Sequence, residues 1–221
     1  MKKIALIHTV RPGYVRFGDE IKAALPGVTV TNTLDEELAR EAVECGVSPH
    51  LANRFLMTAK LAESTGAELL VCACTSMIPL MDSVRPFLSV PIIMIDDEMH
   101  RCAPHMGKNV TIFATAASAL APTRAKFEAS CRAQQAGEKE ISTLVCSEAN
   151  AFMRVGDMAS HDRLVLEAVK KIRGADVVIL SQYSITHLSK QIEEICGCPV
   201  MGSGEYCIRE IARLLGMEQS K

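Results

Sequence analysis

The sequence contains no tryptophan, and with three tyrosines and six phenylalanines its aromatic residues are scarce. Sites that stack sugars or bases depend on aromatic rings, so we expect no stacking platform. Positive charge is not concentrated either: 24 Lys and Arg residues are scattered against 26 Asp and Glu residues, with a net charge of −2. A nucleic-acid surface needs a basic stripe, and we therefore expect no nucleic-acid partner.

The sequence also lacks an apolar run long enough to cross a membrane, so we expect no membrane partner. Two lysines precede a short apolar run in the N-terminal MKKIALIHTV, but Arg11, Pro12 and Gly13 end this run early. No small-residue cleavage site follows, which favours a first buried strand over a signal peptide. Nine cysteines without a signal peptide predict free thiols in a reducing, cytoplasmic compartment.

Metal and dinucleotide patterns are missing as well. Cys72 and Cys74 form one Cys-x-Cys pair and Cys196 and Cys198 another, but no Cys-x-x-Cys pair or histidine lies at zinc-like spacing. No strand leads into a Gly-x-Gly-x-x-Gly helix start. The acidic run at residues 96–98 is most simply a solvated turn at a helix start. We therefore predict no metal and no dinucleotide cofactor.

What the sequence does contain is a regular alternation of apolar strands with amphipathic helices, which predicts a parallel α/β architecture. The pattern runs twice, so we expect two pseudo-symmetric parallel-sheet α/β halves with the site between them. We place the first half at residues 1–105 and the second at 106–221, with a C-terminal helix that can cross over to the first half.

The two rounds match in spacing, which indicates a weak internal duplication. Cys74 lies 17 residues before Pro91, and Gln182 lies 17 residues before Pro199. Ligands of parallel α/β sheets bind at the carboxyl ends of the strands. The residues expected at these ends are His8, Thr9, Cys74, Thr75, Ser76, Thr115, Ala116, Ser118, Gln182, Tyr183 and Ser184.

Cys74 is the strongest candidate for chemistry in this set. It follows a buried strand and precedes Thr75 and Ser76, whose hydroxyl and N–H groups are suited to hold an anion. A thiolate is a good base and nucleophile near neutral pH, and N–H groups at a helix start lower the thiol pKa. We expect Cys74 to act at a carbon beside a carboxylate, where hydroxyls and N–H groups stabilise the enediolate without a metal. The other residues are predicted to bind the substrate.

At these motifs the sequence resembles the aspartate/glutamate racemase superfamily. VCACTSM is similar to its first cysteine motif, an apolar strand leading to Ala-Cys-Asn-Thr. ATAAS, at residues 114–118, is similar to its Gly-Thr-x-x-Thr motif, and VVILSQYSITHL falls where the second cysteine motif belongs. The resemblance implies two α/β halves, no cofactor, cysteine chemistry on a small carboxylate substrate, and a homodimer.

Three departures from that pattern bear on the mechanism. Gln182 stands at the second cysteine, Thr75 at the Asn after the first, and His8 at a position that is often small and polar or acidic. Glutamine does not exchange protons near neutral pH, so a symmetric two-thiol racemisation is not expected. For Gln182, binding of the substrate and a hydrogen bond between the halves both stay open. For His8, a base and a structural histidine both stay open.

The expected function is therefore a cofactor-independent racemase or isomerase that acts on a small carboxylate, such as an amino acid, through one cysteine. The first alternative is a decarboxylase or lyase of the same superfamily in which Cys74 is the proton donor. The second is a protein that binds small carboxylates without catalysis.

Overall fold

The computed structural model describes residues 2–217 and contains two parallel sheets. The strands are β1 Lys2–His8, β2 Val28–Leu34, β3 Leu69–Cys72, β4 Ile92–Met94, β5 Asn109–Ala114, β6 Glu140–Val145, β7 Val177–Leu180 and β8 Val200–Met201. The α-helices are α1 Arg11–Ala24, α2 Glu36–Glu44, α3 Pro49–Glu63, α4 Met81–Val84, α5 Asp97–Cys102, α6 Leu120–Ala133, α7 Ser147–Arg154, α8 Met158–Val169, α9 Ser189–Cys196 and α10 Ser203–Leu215. Short 3-10 segments lie at Thr75–Leu80, Arg85–Phe87, Ala103–His105, Ala117–Ala119 and Tyr183–Leu188.

Both sheets have the same strand order. In the first sheet the order is β2-β1-β3-β4, and in the second it is β6-β5-β7-β8, with every pair parallel. Their central strands are buried on both faces, which explains why these strands are continuous apolar runs rather than alternating ones. The predicted fold class, two similar parallel α/β halves, is confirmed.

The chain divides into two compact units, and the first unit is made of two separate stretches of the chain. The first unit contains the chain up to Asp97 and again from Gly204 onward, and the second contains Glu98–Ser203. The sequence analysis placed the cut after residue 105 and named the C-terminal helix as one that can cross over. In the structure nearly all of α10 belongs to the first unit.

Each unit has a core of its own. In the first, the buried side chains of α3 and of the 3-10 segment after β3 pack with β1 and β3, and Phe55 and Met77 are fully buried. Cys72 belongs to this core, and Cys74, two residues further on, packs against the same core as a partly buried residue. In the second, α8 and α9 cover β7 in the same way, with Val165 and Ile192 fully buried. These cores fix the strand ends from which the candidate site is built.

Polar side chains fix the helix starts that border the first sheet. Asp35 precedes α2, and its carboxylate accepts a hydrogen bond from the Glu37 N–H at 3.2 Å. Arg54 on α3 donates two hydrogen bonds to the same carboxylate, at 2.8 and 2.9 Å. These bonds keep the pKa of Asp35 low although burial opposes them, and they tie α3 to the end of β2.

No helix among residues 2–217 is long and apolar enough to span a membrane.

Candidate active site

In the first unit, strand register places Thr9 beside Cys74. Ile7 of β1 pairs with Cys72 of β3, and the Ala73 N–H donates to the Ile7 carbonyl at 2.8 Å. Two residues beyond this pair lie Thr9, which is buried, and Cys74, which is partly exposed. Cys74 has an extended backbone and begins the 3-10 segment Thr75–Leu80. The expected placement of the thiol at a strand end therefore agrees with the structure.

The surroundings of the thiol have two opposing effects on its ionisation. Burial raises the pKa of Cys74 above 9.0. The Thr9 hydroxyl, the Ser76 N–H and hydroxyl, and the Met77 N–H lie close enough to the sulfur to lower the same pKa, but burial outweighs them. The expectation of a lowered thiol pKa is therefore wrong, because loss of hydration destabilises the thiolate more than these donors stabilise it. In the resting protein Cys74 is a neutral thiol.

The hydroxyl residues around Cys74 differ in burial and in hydrogen bonding. The Thr9 Oγ1 atom is buried and makes no hydrogen bond of ordinary length with any residue in 2–217, although it affects the thiol. Thr75 is buried and Ser76 is partly exposed. The first unit thus brings Thr9, Cys74, Thr75 and Ser76 to one strand edge, as the sequence predicts.

His8 lies at the last position of β1 and is buried. Its Nε2 lies 3.0 Å from the Asn32 Oδ1, and its ring makes an edge contact with Tyr14 at a centroid separation of 5.8 Å. Burial lowers the pKa of His8 below 6.5, against the effect of the Asn32 hydrogen bond. The ring is therefore neutral near pH 7. With Asn32 as acceptor the proton lies on Nε2, which leaves the lone pair on Nδ1, a buried atom without a partner in the described chain.

Asn32 is a residue that the sequence reasoning missed. It comes from β2 and reaches His8 across the sheet. Gly18 of α1 lies so close that a Cβ there would be 3.3 Å from the Asn32 Nδ2. A small residue in α1 facing a polar residue in β2 is too common a pattern to mark such a contact in advance.

The second unit repeats this register with different chemistry. Phe113 of β5 pairs with Leu180 of β7, and the Ser181 N–H donates to the Phe113 carbonyl at 2.9 Å. Two residues beyond lie Thr115 and Gln182, in the places that Thr9 and Cys74 have in the first unit. Gln182 likewise has an extended backbone and begins the 3-10 segment Tyr183–Leu188.

The side-chain oxygen of Gln182 occupies the donor groups of the Thr115 turn. Gln182 Oε1 accepts hydrogen bonds from the Thr115 N–H at 2.8 Å, the Ala116 N–H at 2.9 Å and the Thr115 hydroxyl at 3.2 Å. The sequence reasoning expected these groups to hold a substrate carboxylate. In the structure they hold Gln182, and a direct role of Thr115 and Ala116 in substrate binding stays a prediction.

The remaining predicted residues of the second unit differ in exposure. Tyr183 and Ser184 are buried, and the Ser184 Oγ has no hydrogen-bond partner among the residues described. Ser118 is exposed on the segment Ala117–Ala119. The structure thus brings Thr115, Gln182 and Ser184 to one strand edge and leaves Ser118 at the surface. That one ligand meets the strand ends of both units stays a prediction from the sequence.

A second polar cluster in this unit has no signature in the sequence. His161 is fully buried on α8, and its Nδ1 lies 2.7 Å from the carboxylate of Asp162. The same carboxylate lies 3.0 Å from the His187 Nε2, on the segment that follows Gln182. The sequence separation of 25 residues gives no reason to pair Asp162 with His187.

The acidic run at residues 96–98 is only partly the solvated turn that was expected. Asp97 does act locally, since its carboxylate accepts the Met94 N–H at 2.8 Å. Asp96, however, is buried, with 3 % of its surface exposed. Asp96, the second residue after β4, therefore lies in the protein interior and not in a solvated turn.

Comparison with known proteins identifies the class of the chain. The family described as Asp/Glu/Hydantoin racemase matches residues 22–216. No match was found among curated proteins. Aspartate racemase from Picrophilus torridus has a similar structure, with a TM-score of 0.76 and 17% identity over 100% of this chain and 97% of that one.

Two further solved structures share the fold. Glutamate racemase from Francisella tularensis subsp. tularensis SCHU S4, solved in complex with D-glutamate, has a TM-score of 0.75 and 14% identity over 100% of this chain and 84% of that one. Allantoin racemase from Klebsiella pneumoniae has a TM-score of 0.65 and 16% identity over 100% and 91%. The chain belongs to the Asp/Glu/hydantoin racemase family, and the expected enzyme class, an isomerase of the racemase type, is confirmed at the level of the family.

Proposed function

We propose that this protein is a cofactor-independent isomerase that moves a proton at the carbon beside a carboxylate of a small acid, with Cys74 as its only proton-transferring thiol. The observation that carries the proposal is the pair of equivalent strand ends. One holds a thiol with four neighbouring donor groups, and the other holds an anchored glutamine. A carboxamide neither takes nor gives a proton near neutral pH.

The proton transfer requires Cys74 in its thiolate form. The thiolate takes the proton, the C–H bond breaks, and its electron pair delocalises into the carboxylate as an enediolate while S–H forms. Return of the proton from S–H to the same face exchanges hydrogen and restores the substrate. Isomerisation occurs when water protonates the opposite face of the enediolate and the resulting hydroxide takes the S–H proton, which restores the thiolate. Because burial keeps the resting thiol protonated, its proton must leave before the thiolate can act.

The protonated thiol also favours a second candidate, a decarboxylase. In that reaction the bond between carbon and a carboxylate breaks, CO2 leaves, and the electron pair remains as an enediolate. Cys74 then donates its S–H proton to carbon, and water reprotonates the thiolate. A thiol that rests in the neutral form is ready for this step without prior deprotonation.

The test is hydrogen exchange in deuterium oxide, followed by proton NMR. The acids are both enantiomers of aspartate and of glutamate, together with phenylmalonate. We expect at least one acid to lose its Cα–H signal with the wild type and with Cys45→Ala, a control at an exposed cysteine, but not with Cys74→Ala. Loss of CO2 from phenylmalonate that requires Cys74 selects the decarboxylase.

Two results contradict the proposal. Exchange that continues in Cys74→Ala removes the thiol from the mechanism. Absence of exchange with every acid, combined with a rise in melting temperature when the acids are added, shows a binding protein without catalysis.

A further inference from the structure

The carboxamide of Gln182 has only one possible orientation. Its oxygen faces two backbone N–H groups, of Thr115 and Ala116, which are donors only, and the Thr115 hydroxyl. The flipped amide would place its NH2 group against these N–H groups, donor against donor. The hydrogen-bond network therefore fixes the oxygen on the inside and the NH2 group on the side away from Thr115.

That NH2 group is an unused donor in the part of the chain that the structure describes. Its nitrogen donates to none of residues 2–217, and Gln182 is partly exposed, so a ligand can reach it. A second unused donor lies two residues further along. The Ser184 Oγ is buried without a partner, and Ser184 has the same place in its segment that Ser76 has beside Cys74.

We propose that Gln182 is an anchored hydrogen-bond donor for the substrate: Thr115 and Ala116 hold its amide oxygen, and its amide NH2, together with the Ser184 hydroxyl, binds a carboxylate or carbonyl oxygen of the acid. The identity of the acid rests on the proposed function, whereas the anchoring does not. At the equivalent strand ends, the first unit therefore has a thiol that transfers a proton, and the second has an amide that donates a hydrogen bond to a substrate oxygen. Because a carboxamide neither takes nor gives a proton near neutral pH, the strand end of the second unit transfers no proton.

Three variants separate the anchor from the donor. Gln182→Glu keeps an oxygen for the three donors and loses the NH2 group. Gln182→Met has a similar length but leaves the Thr115 and Ala116 N–H groups unpaired. Gln191→Glu makes the same change of charge at an exposed position of α9 and is the matched control.

The first readout is thermal stability without ligand. We expect Gln182→Glu and Gln191→Glu to melt close to the wild type, and Gln182→Met to melt about 4 °C or more lower, because unpaired buried N–H groups are costly. A melting temperature of Gln182→Met equal to that of the wild type overturns the anchor.

The second readout is the rise in melting temperature caused by millimolar malonate or L-aspartate. We expect a rise for the wild type, for Gln191→Glu and for Cys74→Ala, and its loss in Gln182→Glu. An undiminished rise in Gln182→Glu, or no rise in the wild type with either acid, overturns the donor role. If the rise depends on Gln182 while no acid exchanges deuterium, the proposed function fails and this inference stands.

Discussion

Replacing Thr9 by valine removes one hydroxyl beside the Cys74 sulfur and keeps nearly the same side-chain volume. Because this hydroxyl lowers the pKa of Cys74 against the effect of burial, Thr9→Val raises that pKa further. A hydrogen bond to a charged group contributes about 1.5–3 kcal/mol. The Thr9 hydroxyl makes no bond of ordinary length, so we take about 1 kcal/mol, which corresponds to an about fivefold smaller thiolate fraction below the pKa.

The assay is the initial rate of alkylation by iodoacetamide, which reacts with the thiolate. Mass spectrometry of the tryptic peptide at residues 61–101 follows the reaction, and its fragment ions separate Cys74 from the buried Cys72. We expect an about fivefold lower rate for Thr9→Val near neutral pH. Thr9→Ser keeps the hydroxyl and is expected to react like the wild type.

An alkylation rate of Cys74 in Thr9→Val that equals or exceeds the wild-type rate, in a variant with an unchanged circular dichroism spectrum, refutes this account of the thiol. Thermal unfolding measured from neutral to alkaline pH checks how the raised pKa of Cys74 affects the stability of the protein. A raised folded-state pKa stabilises the protein below 9.0, and this stabilisation is lost as pH rises through the folded-state value. Between neutral and alkaline pH, the melting temperature of Cys74→Ala should therefore fall less than that of the wild type.

Three further predictions concern the contacts around the strand ends. Asn32→Asp places a carboxylate at the His8 Nε2 and should raise the pKa of His8 to 6.5 or above in an NMR titration; a value that stays low contradicts the assigned pair. Gly202→Ala puts a Cβ 2.9 Å from the Thr186 Cγ2, so we expect a loss of about 1–3 kcal/mol in urea unfolding, and an unchanged midpoint contradicts the close packing. Thr123→Val removes a fully buried hydroxyl that has no partner in the described structure, and should stabilise the protein by about 1 kcal/mol; destabilisation would show that the hydroxyl is bonded.

The positions of Cys74 and Gln182 could be predicted from the sequence because each residue follows a buried parallel strand. Continuous apolar runs at residues 69–73 and 177–180 predict strands, and equal spacing to Pro91 and Pro199 predicts that Cys74 and Gln182 are equivalent. The structure gives both residues the same register and the same extended backbone. Register and backbone conformation depend on local sequence and on strand pairing, and the apolar pattern of the sequence indicates both.

The electrostatics of the site could not be predicted in this way. The sign of the shift in the Cys74 pKa depends on how deeply the sulfur is buried, and the motif shows only the donors that follow it. The pairing of His8 with Asn32 depends on neighbouring strands and a rotamer. The filling of the Thr115 turn by Gln182 depends on a side chain long enough to bridge β7 and β5, which no spacing rule specifies.

The central claim, that Cys74 alone transfers protons, is tested most directly by the stereochemistry of exchange. One pure enantiomer of an acid that exchanges is incubated with the protein in deuterium oxide, and chiral chromatography is combined with mass spectrometry. The account predicts that the wild type incorporates deuterium with retention of configuration much faster than it forms the opposite enantiomer, and that Gln182→Cys, which introduces a second thiol, forms the opposite enantiomer faster than the wild type. Inversion by the wild type as fast as deuterium incorporation would contradict it, because a second group would then be transferring protons on the opposite face.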